Sequence, residues 1–220
     1  MRTRIWPSIL AVVTLQALAQ DKVVQLKDDP YRRVVLENAI VRVWEVRVPV
    51  GESTPFHEHR NDQVSVRINT TVLTNEPKGG LFSFTRDFAL EAGTVSFAEY
   101  TGNPYVHKIT PKGPSAHHVI EAEILAPATS DHRGITASER PGVTTLLDNR
   151  RIRVARVVLE PGRSLDVAPH PNTMVVVVTG GKYGSKQLKA GDVQWHGEPM
   201  SRNVKNEGPT PIELVEVAVK

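Results

Sequence analysis

The chain has 220 residues, 40% of them hydrophobic, with 27 basic against 24 acidic side chains and no cysteine. That length gives one large or two small domains with a proper core, and the lack of cysteine excludes disulfides and thiolate metal sites. Arg2 and Arg4 stand in a segment expected to be removed, which leaves 25 basic against 24 acidic side chains. A balance so near neutral gives no electrostatic footprint for nucleic acid.

The chain opens with MRTRIWPSILAVVTLQALAQ. Arg2 and Arg4 make a basic start, IWPSILAVVTL a short apolar core, and Ala17 and Ala19 an A-x-A pattern. This predicts a secretory signal over residues 1–19, cleaved before Gln20, and a periplasmic or secreted protein. The apolar stretch is short for a membrane span and is broken by Pro7 and Gln16. No other stretch could cross a membrane, so no membrane association is expected after cleavage.

Beyond the leader the chain reads as β. Residues 39–48, 63–68, 80–88, 94–99 and 117–125 are β-rich runs, partly alternating, and Gly and Pro punctuate them at PVGE, NEPKGG, TGNP and PKGP. The same texture returns in RIRVARVVLEPG, TMVVVVTGG, GDVQW and PIELVEVAV. Residues 126–142 are small, polar and proline-bearing and read as a linker between 20–125 and 143–220.

The halves repeat. Residues 37–53 align with 148–164 at an offset of 111, placing Asn38 on Asn149, Arg42 on Arg153 and Gly51 on Gly162. Residues 107–124 align with 202–219 at an offset of 95, placing Gly113 on Gly208 and Glu121 on Glu216. A duplicated all-β unit suits sandwich or barrel architectures.

The stretch PFHEHRND holds His57 and His59. In a strand, residues i and i+2 share a face, so both imidazoles can reach one metal ion. Strand, glycine turn (Gly51), H-x-H, hairpin, a second glycine opening a strand (Gly93) and a later histidine (His107) together resemble the cupin pattern. The resemblance covers about residues 30–220 and, with the duplication, looks like a bicupin of the quercetin-dioxygenase-like kind. It implies two tandem double-stranded β-helix (jelly-roll) domains with a metal inside a barrel.

Carried over residue by residue, the resemblance implies His57, His59 and His107 as metal ligands. Gln63 falls at the position where the family has a carboxylate. It could ligate through a neutral oxygen, hydrogen-bond a bound water, or line the pocket. Three imidazoles suit a divalent ion such as Fe, Mn, Ni, Cu or Zn, with positions open for catalysis. The missing carboxylate leaves the site more positive and favours an anionic small-molecule substrate. The TGNPYV stretch lengthens the loop before His107 relative to the family.

In the second half, His57 falls on Ala168, His59 on His170, Gln63 on Met174 and His107 on Arg202. One imidazole cannot hold a divalent ion, so only the first half is expected to bind metal. Arg202 is expected to fill the second cavity, making that barrel a packed support or an anion site. His117, His118 and His132 read as surface residues, Asp62 as part of a solvated turn, and Glu99 as an exposed strand end. Phe56, Phe82, Phe84, Phe97, Tyr100 and Tyr105 read mostly as core. Two functions fit: a metal-dependent dioxygenase acting on a small enolisable or phenolic substrate, or a non-catalytic exported small-molecule-binding or structural cupin. A homodimer is compatible with either.

Overall fold

The computed structural model describes residues 22–79, 85–127, 141–167, 170–199 and 202–220. The leader, most of the linker, Phe82, Phe84 and His132 lie outside these residues. In the first half the strands are β1 (Val23–Gln25), β2 (Arg32–Glu37), β3 (Val41–Val48), β4 (Phe56–His59), β5 (Gln63–Arg67), β6 (Thr71–Pro77), β7 (Arg86–Leu90), β8 (Val95–Ala98), β9 (Tyr105–Gly113) and β10 (His117–Ile124). The second half has β11 (Val143–Asp148), β12 (Ile152–Leu159), β13 (Ser164–Val167), β14 (Thr173–Thr179), β15 (Gly181–Tyr183), β16 (Lys186–Leu188), β17 (Val193–His196), β18 (Arg202–Lys205) and β19 (Ile212–Val219).

The first half forms two five-stranded sheets, β2-β3-β10-β5-β8 and β1-β4-β9-β6-β7. The second half repeats the first of these as β11-β12-β19-β14-β17, faced by the pairs β13-β18 and β15-β16. This is the all-β architecture expected from the alternating runs, in the jelly-roll arrangement that the resemblance implied.

The duplication is visible at single turns. Asn38 Oδ1 accepts the backbone N–H groups of Ile40 and Val41, and Asn149 Oδ1 accepts those of Arg151 and Ile152. Gly51 and Gly162 both have positive φ, +82° and +74°, in turns closed by the Glu52 N–H on Pro49 O and the Arg163 N–H on Glu160 O. A residue with a Cβ would be strained at either position.

Period-2 alternation decides what faces what. In β10, Ile120, Ala122 and Ile124 enter a core shared with Val43, Val64 and Val66 of the same sheet and with Ile152, Val154, Met174, Val176, Val215 and Val217 of the second half. The two equivalent sheets thus pack against each other through aliphatic side chains. Each fully buried valine there contributes about 1.5–3 kcal/mol. The other face of the first sheet, with Trp44, Val46, Val48 and Val119, turns into the first barrel and meets Leu26 and Ile109. That inward face also carries Gln63, Arg67, His117 and Glu121, at odd positions between the core residues.

Two expectations give way here. Asp62 is not in a solvated turn: it is 4% exposed and accepts from Arg151 Nε at 3.0 Å, a buried ion pair linking the halves. His118 is not a surface residue: it is buried, sits 3.0 Å from Glu45, and lies so close to Gly191 that a Cβ there would be 2.8 Å from its ring.

Candidate metal centre

Strands β4 and β9 build the site. They pair antiparallel with His57 opposite His107 and His59 opposite Tyr105. Directly opposed residues share a face, so register alone puts all four side chains on one surface inside the barrel. The longer TGNPYV loop does not displace His107, because the β4 ladder fixes it. His57 and His59 are 0% and 2% exposed. One nitrogen from each of His57, His59 and His107 lies within 4.8 Å of the others, and the ring centroids are 4.7–5.1 Å apart.

Each ring is oriented from behind. His57 Nδ1 donates to the Pro55 carbonyl at 3.0 Å, His59 Nδ1 to Gln63 Oε1 at 2.8 Å, and His107 Nδ1 to Asn75 Oδ1. The two amides are fixed in turn: Gln63 Nε2 donates to Ser65 Oγ at 3.1 Å and Asn75 Nδ2 to the Tyr105 hydroxyl at 2.9 Å. With every Nδ1 carrying the proton, every Nε2 is a lone pair. Those of His59 and His107 face each other at 3.0 Å. Two acceptors at that separation, with no proton to share, are satisfied by a cation between them. On this donor set the residues fit a divalent ion, and the backing hydrogen bonds are the kind that hold metal-binding imidazoles in one tautomer.

Protonation does not relieve the contact. Burial, then the Arg32 charge and His59, lower His57 to about 3. Burial and Arg32 lower His59 to about 4. Burial, with His57 and His59 as neighbours, holds His107 well below the ordinary imidazole value. All three rings are neutral at physiological pH.

Sequence reasoning missed several residues here. Arg32, on β2, donates from Nη2 to His57 Nε2 at 3.0 Å. It is held by a short ion pair with Glu121 and by Asp29 at 3.1 Å. Burial alone would raise the Glu121 carboxyl, but the charges of Arg32, which also donates to it, and of Arg67 outweigh it and keep the group ionised. Gln63, expected where the family has its carboxylate, sits behind His59 with its oxygen engaged by Nδ1. His117, expected at the surface, is 2% exposed and faces the barrel interior. Tyr100 and Tyr105, expected mostly as core, stack with ring centroids 5.7 Å apart next to the histidines. Glu58 pairs with Arg60 and the exposed Glu99 with Arg150, both away from the cluster.

A cavity of about 360 Å³ adjoins the cluster, and Arg32, Arg67, Tyr100, Tyr105, His107 and Glu121 are among its lining residues. The second barrel is not packed solid either: it encloses about 340 Å³ lined in part by Tyr183, Lys186, Gln194, His196 and Lys205. The side chain of Arg202, expected to fill it, lies outside the described residues. Among the described residues, His57, His59 and His107 are the one group of three side chains able to hold a metal ion.

No protein-family model matches the sequence, and no curated protein matches it. Solved structures do share the fold. A cupin 2 conserved barrel domain protein from Leptotrichia buccalis has 12% identity and a TM-score of 0.53, covering 86% of this chain and 88% of that one. A variant of the salicylate 1,2-dioxygenase of Pseudoaminobacter salicylatoxidans has 11% identity and a TM-score of 0.54, covering 81% and 71%. The Bacillus subtilis oxalate decarboxylase, a protein with Mn(II) centres, has 13% identity and a TM-score of 0.55, covering 88% and 75%. At 11–13% identity the likeness is one of fold, and it establishes that this chain folds as a cupin of the two-barrel, bicupin-like type.

Proposed function

We propose that the first barrel holds one divalent metal ion on His57, His59 and His107, and that the protein is a metal-dependent enzyme of the dioxygenase-like class acting on a small enolisable or phenolic substrate. The observation that carries this reading is the pair of facing lone pairs on His59 and His107, 3.0 Å apart with both rings tied at Nδ1. When bound, such an ion supplies Lewis-acid stabilisation of an enolate or phenolate and, if redox-active, a path for electrons to dioxygen. The chain's own residues do the rest. Gln63, Asn75 and the Pro55 carbonyl fix the imidazoles in the ligating tautomer. The Gln63 side chain acts by orienting His59 rather than as a ligand. The tyrosines and the apolar walls of the cavity shield the reacting face from water. A dioxygenase fold relative and a decarboxylase fold relative support the class without choosing the substrate.

A second reading, a non-catalytic binding module, has one specific observation in its favour: the Arg32 guanidinium already occupies the His57 Nε2 lone pair. Metal analysis of tag-free protein, with oxygen uptake on a panel of phenols and diketones, separates the two. Bound metal with oxygen uptake supports the enzyme. Bound metal without uptake of oxygen or turnover of any substrate supports the module. Export remains part of the proposal, and its test is the N-terminus of protein from the native host, expected at Gln20. An intact Met1 would refute it.

A further inference from the structure

The cavity beside the histidines contains a cation with two unmet donors. Arg67, the last residue of β5, alternates inward with Gln63 and Ser65, and its Nε and Nη1 are buried without a hydrogen-bond partner. His117, the first residue of β10, is 2% exposed, and its Nδ1 is likewise buried and unpartnered. Both residues line the same cavity. Leaving such polar atoms unmet costs stability, so two such side chains in one cavity mark a place built for a polar group of a ligand.

The other charged groups there are engaged. Arg32 is tied to Asp29, Glu121 and His57. Arg86 has its guanidinium 4.9 Å from the Phe88 ring centroid. Glu121, the one carboxylate among the described residues lining the cavity, gives Oε2 to Arg32. Its field reaches Arg67 without a hydrogen bond, and burial still lowers the guanidinium below its ordinary value. Around this polar end the walls are apolar: Leu73, Phe88, Leu90, Ile109, Tyr100 and Tyr105.

We propose that Arg67 and His117 form a carboxylate-binding subsite, so that the ligand of the first barrel is a small carboxylate with a flat apolar body. The guanidinium supplies the charge and two donors, and the neutral imidazole turns an N–H to the second oxygen. One unpaired guanidinium matches one negative charge. The apolar walls set the body, and a cavity of about 360 Å³ holds a single ring with short substituents. The inference extends the proposed function by naming the substrate class, but binding at this subsite does not require the metal.

The test is calorimetric titration of the full chain with benzoate and with benzamide, which has the same shape and no charge. Benzoate is expected to bind at least about tenfold more tightly, the scale of a charge-assisted hydrogen bond. Arg67→Met is expected to reduce benzoate to the benzamide level and leave metal content unchanged. Arg67→Lys keeps the charge and loses the fork, and its preference is expected to fall between the two. Benzoate binding no tighter than benzamide, or an undiminished preference in either variant, overturns the assignment. If the protein proves metal-free yet the preference depends on Arg67, the metal reading falls while the carboxylate subsite stands.

Discussion

Arg32 is both a support of the site and a competitor for it. Its Nη2–H rests on His57 Nε2 at 3.0 Å, and a metal taking that lone pair must displace it. Arg32→Met alone would leave Glu121 and Asp29 buried and uncompensated, costing about 3–5 kcal/mol of stability. The informative change is the double variant Arg32→Met/Glu121→Gln. It removes a cation and an anion together, so the net charge of the barrel is unchanged and the Coulomb terms on the metal nearly cancel. What remains is the lost competition. A hydrogen bond to a charged group is worth about 1.5–3 kcal/mol, so the double variant should bind divalent metal about 10–150 times more tightly. Zinc titration against a chelating dye measures this directly, and urea unfolding checks that the variant is folded. A folded double variant with unchanged or weaker affinity would refute the reasoning. It would mean that Arg32 supports the ligating geometry instead of blocking it.

Three further outcomes follow from the same geometry. Gln63→Glu keeps the acceptor on His59 Nδ1 and adds a charge, so metal affinity should rise, whereas Gln63→Leu or Asn75→Leu should weaken it by about 10–100-fold; equal affinities in all three would show that these amides do not orient the rings. Arg67→Met removes a buried cation with two unmet donors, and should leave the protein at least as stable as the parent by thermal unfolding, against the about 1–3 kcal/mol loss usual for removing a satisfied buried polar group. His117 is lowered to about 3 by burial and by the charge of Arg67, with Arg32 and His118 adding and Glu121 opposing. The unfolded chain binds its proton near pH 6.5 and the native chain does not, so the stability it contributes is full above that pH and is lost as pH falls towards 3, at up to about 1.4 kcal/mol per pH unit. His117→Gln should flatten the acid limb of urea-unfolding stability between pH 6.5 and 4.5, and an identical slope would refute the assignment.

Much of this was legible in the chain. The duplication and the all-β texture follow from alternation, turn glycines and an internal offset, all of which are local or repeated signals; His57 and His59 follow from their spacing, and His107 joins them only through the resemblance to cupins. The inward residues are legible too, from alternation alone. In QVSVR, Val64 and Val66 face the shared core, so Gln63, Ser65 and Arg67 face the barrel. In HHVIEAEI, Ile120 and Ala122 face the core, so His117 and Glu121 face in. His118 was misread for a different reason: its face looks outward from the first barrel, but the second barrel covers it through Gly191. Alternation puts His118 on the apolar face of Ile120, Ala122 and Ile124, but only the tertiary fold shows that the covering surface reaches the first residues of the strand. Arg32 could not be placed, since an arginine on an edge strand usually lies in solvent. Only the tertiary meeting of β2, β4 and β10 carries it to His57.

The central claim is one metal ion in the first barrel, and elemental analysis of tag-free protein tests it most directly. After equilibration with excess divalent metal and desalting, the account predicts one ion per chain. It also predicts no ion in His57→Ala/His59→Ala and an unchanged ion in His170→Ala. No bound metal in the parent protein, two ions per chain, or metal retained in His57→Ala/His59→Ala would contradict it.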